Sequence, residues 1–115
     1  VADPACIVDA NVSGMSYSAA ANWSTISGNQ YGFGFTLGSY TVGVTPAFYY
    51  NQGGLAYNAR HFADLSAGNS PQLIFSRGSA TLEDLVDVCY RLTPAATNVA
   101  GDYENYIVYT ATATF

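Results

Sequence analysis

Hydrophobic and polar positions alternate with a period of two along much of this chain, the spacing that places strand side chains on opposite faces of a sheet. The pattern is strongest at the end. Residues 103–115, YENYIVYTATATF, follow a turn at Ala100-Gly101-Asp102 and hold β-branched and aromatic side chains with no Pro or Gly. Ile107, Tyr109, Ala111 and Ala113 fall on one face, with Phe115 closing the row, and Tyr106, Val108, Thr110, Thr112 and Thr114 fall on the other. This predicts a fully paired strand with a buried end. One face enters the core, and the threonine-rich face suits a sheet surface or a protein partner.

Weaker versions of the same pattern recur upstream. Residues 5–12 (ACIVDANV) place Cys6, Val8, Ala10 and Val12 on one face of a strand. Residues 13–30 are rich in Ser, Ala, Asn and Gly and read as a loop or weak strand, with Trp23 and Ile26 as the bulky anchors. In 31–38, Tyr31, Phe33, Phe35 and Leu37 alternate with Gly32, Gly34, Thr36 and Gly38. Large residues on one face and glycine on the other predict a strand closely approached by another backbone or ring. Gly38-Ser39 reads as a hairpin turn into a second strand carrying Tyr40, Val42 and Val44 and ended by Pro46. Asn51 to Gly54 is a turn. Leu55, Tyr57 and Ala59 alternate, but Phe62 and Leu65 do not extend the pattern, and Gln72 to Ser76 is a short apolar strand.

Two patterns compete over 79–92. Leu82, Leu85, Val86 and Cys89 fit a helical face, with Thr81 and Asp84 as a capping box, whereas Val86, Val88, Tyr90 and Leu92 fit a strand. The β-rich run VDVCYRL favours a strand over 85–92. The tally is about seven short strands separated by Gly, Pro and Asn turns, which predicts an all-β chain. The expected architecture is one domain over residues 1–115, an antiparallel Ig-like β-sandwich.

Composition sharpens this picture. Half of the residues are hydrophobic and 10% are charged, against roughly a quarter charged in an ordinary soluble domain. Lysine is absent, and the positive charges are Arg60, Arg77 and Arg91; 10 Tyr and 11 Gly stand beside many Ser, Thr and Asn. A polar but weakly charged surface fits a secreted or assembled protein. The net charge of −5 opposes nucleic-acid binding and a basic membrane-surface patch. No apolar run reaches the roughly 20 residues of a spanning helix. The opening VADPAC reads like a terminus left by a small-residue cleavage site, which predicts export and an extracellular location.

Little in the chain resembles catalytic machinery. His61 is the single histidine, and no GxSxG segment presents a nucleophile to it. One His and two distant cysteines do not make a zinc site. Glu83, Asp84 and Asp87 lack the DxDxDG spacing of a calcium loop and read as a solvated charged edge. GFGF and NQGG precede no helix with a Lys, so neither is a phosphate loop. No catalytic residue, metal or cofactor is predicted. Asn11-Val12-Ser13 and Asn22-Trp23-Ser24 are N-glycosylation sequons.

The closing segment AGDYENYIVYTATATF resembles the last strand of chaperone–usher pilins, above all the archaic branch related to spore coat protein U. Gly101, Asp102, Tyr103 and the final Phe115 stand at matching places, and the likeness covers about sixteen residues. It implies a subunit of an extracellular pilus: an incomplete Ig-like domain, completed by a donor strand from a neighbouring copy. The donor is then expected in residues 1–12, inserting Ile7, Val8, Ala10 and Val12. The acceptor strand is expected along Ile107, Tyr109, Ala111, Ala113 and Phe115. A periplasmic chaperone and an outer-membrane usher are the implied partners. In an exported protein Cys6 and Cys89 are expected to form a disulfide, within a subunit or between subunits. The competing reading is a secreted carbohydrate- or surface-binding β-sandwich, marked by Trp23 clustering with Tyr31, Tyr49 or Tyr50 around an exposed cleft.

Overall fold

The alternation of aromatics and glycines produces the longest strand of the computed structural model, which describes residues 5–6 (as backbone), 8–23 and 29–113. In chain order the strands are β1 Ala5–Cys6, β2 Ala21–Asn22, β3 Gly32–Tyr40, β4 Val44–Pro46, β5 Asn58–Ala59, β6 Phe75–Arg77, β7 Val86–Thr93 and β8 Tyr103–Glu104. The chain is all-β, and a single 3-10 turn at Gln52–Gly54 is its one helical element among the described residues. No helix there is long and apolar enough to cross a membrane.

β3 organises the molecule. Along one edge it pairs antiparallel with β7, Gly32 opposite Thr93 through Leu37 opposite Val88. Its other edge is filled piecewise. The Ala10 and Asn11 amides donate to the Phe33 and Tyr31 carbonyls at 3.1 and 2.9 Å, and the Phe33 amide donates to Val8 at 2.9 Å. Further along, Phe35 and Arg60 exchange bonds at 3.0 and 2.9 Å, and the Tyr50 amide donates to Leu37 at 2.9 Å. The remaining ladders are short: β4 with β6 and β2 with β5 antiparallel, and β1 with β8 parallel.

Side-chain alternation along β3 creates a hydrophobic cluster on each of its faces. Phe35 and Leu37 point into one, with Phe48 and the flanking Phe62, Ile74, Val86 and Val88. Trp23, fully buried, centres the other with Ala10, Val12, Met15 and Ala59. The glycine face of β3 meets this second cluster. A Cβ on Gly34 would lie 2.9 Å from the Arg60 carbonyl oxygen and 3.0 Å from Trp23 Cζ3. Gly32, at φ +109°, sits against the Asp9 carbonyl, and a Cβ there would come within 2.7 Å of Ala10 Cα. The expected close approach of a backbone and a ring is therefore present, one at each glycine.

The expected strand over 85–92 forms as β7. At Gly38-Ser39, however, the chain makes no hairpin. The register shifts between Leu37 and Tyr40, so β3 carries one extra residue opposite β7, a bulge, and runs on to Tyr40. Val42, placed by alternation in the next strand, instead lies in a turn and is 91% exposed. The largest correction is the last segment. Only Tyr103–Glu104 is strand; residues 105–113 have no ladder among the described residues, and Tyr106 and Val108 are 82% and 80% exposed. Phe115 lies outside the described residues.

Candidate functional site

The segments expected to donate and to accept a strand are placed as follows in the structure. Of the four donor side chains, Ile7 lies outside the described residues and Val8 is exposed. Ala10 and Val12 are buried in the core of this same chain. The parallel seating of residues 8–11 against β3 explains this, because Gly32 lets the backbone in and the alternate side chains then drop beside Trp23. In this conformation residues 8–11 occupy part of one edge of β3, and Ala10 and Val12 fill part of the core of this same chain. The acceptor segment, in turn, forms no groove. Ile107 is half-buried, and Tyr109, Ala111 and Ala113 are exposed.

Tyr109 holds that segment to the body. Its hydroxyl is hydrogen-bonded to that of Tyr90 on β7, and its ring meets Phe62 edge-on at 6.5 Å between centroids. Burial and then the Tyr90 hydroxyl raise the Tyr109 phenol well above the ordinary tyrosine range. The anchoring surface is a stack of rings: Phe62 lies 4.1 Å from Phe35 and 5.8 Å from Phe33, and Phe33 lies 6.0 Å from Tyr90. β7 itself is paired along one edge only among the described residues, and Tyr90 and Leu92 remain exposed on it.

The N-terminal segment is locked by a polar cluster. His61 Nε2–H donates to the Ala10 carbonyl at 2.7 Å, and His61 Nδ1 stands 3.7 Å from Asp9 Oδ2. Burial raises the Asp9 carboxyl pKa, His61 pulls it down, and the nearby Asp64 adds to the rise. Asp64 is held below its usual range by bonds from the Ser66 hydroxyl and the Ser66 and Ala67 amides. His61 thus fastens residues 9 and 10, a positioning task that its sequence context does not announce.

The acidic trio divides. Asp84 pairs with Arg77 at 3.0 Å, and Arg77 Nη1 also donates to the Val42 carbonyl at 2.7 Å, so Asp84 is a tie between turns rather than a solvated edge charge. Glu83 and Asp87 are exposed. No three His, Cys, Asp or Glu side chains converge as metal ligands among the described residues. Cys89 is an exposed free thiol on β7. The Cys6 side chain lies outside the described residues, so the expected pairing falls there; its backbone pairs with β8, not with the strand of Cys89.

Both sequon asparagines are used by the fold. Asn11 Nδ2 donates to the Asn29 carbonyl at 2.8 Å and its Oδ1 accepts the Tyr31 amide at 2.6 Å. Asn22 Oδ1 accepts the Tyr57 amide at 3.2 Å. Trp23 does not join an exposed aromatic cluster. It is buried under Arg91, whose guanidinium lies 4.6 Å from the indole and 5.2 Å from the Tyr57 ring. Tyr49 and Tyr50 line a different cleft, with Tyr40. No protein-family model, curated protein or solved structure matches the chain.

Proposed function

We propose that this chain is a structural subunit of an extracellular, pilus-like filament, an incomplete Ig-like sandwich whose strands are completed between copies. The observation that carries the reading is the segment 105–113. It is the most strand-like run of the sequence, yet it has no ladder among the described residues and exposes Tyr106, Val108 and Tyr109. A strand with unpaired backbone and alternating side chains is a ready unit for β-strand addition. The open edge of β7, eight residues long, is a matching acceptor. A cleft of about 200 Å³ beside its far end, lined by Val8, Leu92, Pro94 and Tyr103, offers room for an inserted apolar side chain. In this arrangement the donor moves from residues 1–12 to the C-terminal run. The chaperone and usher of the pilins that the terminus resembles remain part of the proposal as factors that would shield and order such subunits.

The test is Thr110→Pro. Proline removes a ladder donor and is excluded from central strands, but residue 110 has no ladder among the described residues. The variant should therefore keep the circular-dichroism spectrum of the parent and lose the oligomers that the parent forms, read by size-exclusion chromatography and negative-stain imaging. A parent that stays monomeric at every concentration, or a variant that assembles as the parent does, would sink the proposal.

A further inference from the structure

A cleft of about 490 Å³ opens where the β3 bulge faces the corner at Tyr49-Tyr50, within the roughly 300–1,000 Å³ typical of small-ligand sites. We propose that it binds a neutral pyranose sugar. Tyr40 and Tyr49 form two of its walls, their rings 6.4 Å apart and inclined by 56°, and Tyr50 forms a third. Tyr40 and Tyr50 are 41% and 47% exposed. Their faces offer flat apolar surfaces to the C–H face of a sugar ring, with a polar edge alongside.

Three further observations point to a sugar. The hydroxyls of Tyr40, Tyr49 and Tyr50 have no hydrogen-bond partner among the described residues, so each is free to donate and accept at the rim. Asp87 and Asn51, both exposed, line the same cleft. A carboxylate accepts from two vicinal hydroxyls, and an amide both donates and accepts. Finally, among the described residues the lining includes no cation, and its one ionised group is negative, which disfavours anionic ligands.

The walls are fixed before any ligand arrives. The Tyr50 amide donates to Leu37 at 2.9 Å, and the Asn58 amide donates back to Tyr50 at 2.8 Å. Buried Asn58 reaches the Tyr49 carbonyl and Gln52 Oε1 through Nδ2, both at 3.3 Å, and its own carbonyl accepts the Thr36 hydroxyl at 2.5 Å. The Tyr50 ring is braced edge-on by Tyr57 at 5.6 Å. Such bracing lowers the ordering cost of binding. The bulge at Gly38-Ser39 contributes by re-aiming Tyr40 toward the Tyr49 ring, as bulges beside sites commonly do.

The experiment is saturation-transfer difference NMR of the full chain, which works on monomers and assemblies alike. The probes are the methyl glycosides of glucose, galactose, mannose and N-acetylglucosamine, with methyl glucuronide as the charged control. At least one neutral glycoside should show saturable transfer. Tyr50→Ala and Asp87→Asn should each weaken its binding by about tenfold or more, whereas Tyr50→Phe, which keeps the ring, should lose less. Absence of transfer to all four neutral glycosides, glucuronide binding as tight as its neutral counterpart, or full affinity in both Tyr50→Ala and Asp87→Asn would overturn the assignment. It stands apart from the filament reading, whose Thr110→Pro variant leaves every lining residue in place.

Discussion

At the scale of single residues, β3 is defined by what its glycines admit. Gly34 lies between the Arg60 carbonyl and the Trp23 ring, and neither can retreat: Arg60 is hydrogen-bonded to Phe35 through both of its backbone groups, and Trp23 is fully buried. Gly34→Ala should therefore cost about 1–3 kcal/mol, the range of overpacking in a filled site. Gly78→Ala, where a Cβ meets nothing within 4 Å, should be close to neutral. Urea melts of the two variants check the contrast, and equal midpoints would show that the glycine face is not tightly packed. This feature was legible in the sequence because the alternation of large side chains with Gly is a local signature of a local steric fact. The task of His61 was not, since its acceptors, Ala10 and Asp9, lie some fifty residues away and nothing in Arg60-His61-Phe62 points to them. For the same reason Arg91 gave no sign that it would lie over Trp23.

Between elements, propensity and pairing come apart. The sequence pattern placed strands over 31–38 and, against a competing helical face, over 85–92, and in the structure these two runs pair. It identified 105–113 as the most strand-like run of all, yet no described residue pairs with it. Alternation states that a segment can be a strand; it does not state that an edge is available, because pairing depends on contacts far away in sequence. The hairpin expected at Gly38-Ser39 failed in a related way. Glycine permits a turn and permits a bulge, and the long ladder with β7 decides for the bulge. A direct consequence concerns proteolysis. Segments without ladder bonds open at little free-energy cost, so chymotrypsin should cut first after Tyr106 and Tyr109, well before Phe35 or Tyr90. Mass spectrometry of a brief digest checks the order. In assembled material the same two sites should become resistant, and early cleavage within β3 or β7 instead would contradict the assignment of 105–113 as the loose element.

For the whole molecule, two dimensions indicate surface that a compact monomer would not leave open. The accessible area is 7973 Å², whereas a folded protein of 12.2 kDa is expected to expose about 6,100 Å². The radius of gyration is 15.6 Å, against about 13 Å expected for this length. The excess includes apolar side chains such as Val99, Leu85 and Leu92 as well as the 105–113 run. Two small clusters on either face of one strand form a thin core for such a chain. Stability should then be borrowed from neighbours, and mass action makes that measurable: a species stabilised by association melts at a temperature that depends on its concentration. Differential scanning fluorimetry over a roughly hundredfold dilution should show the parent midpoint falling as the protein is diluted. Thr110→Pro should melt at the parent's dilute-limit midpoint at all concentrations, because the proline affects only the bonds made between copies. A parent midpoint that does not move with concentration would mean that each copy supplies its own stability, and the excess surface would then need a partner of another kind.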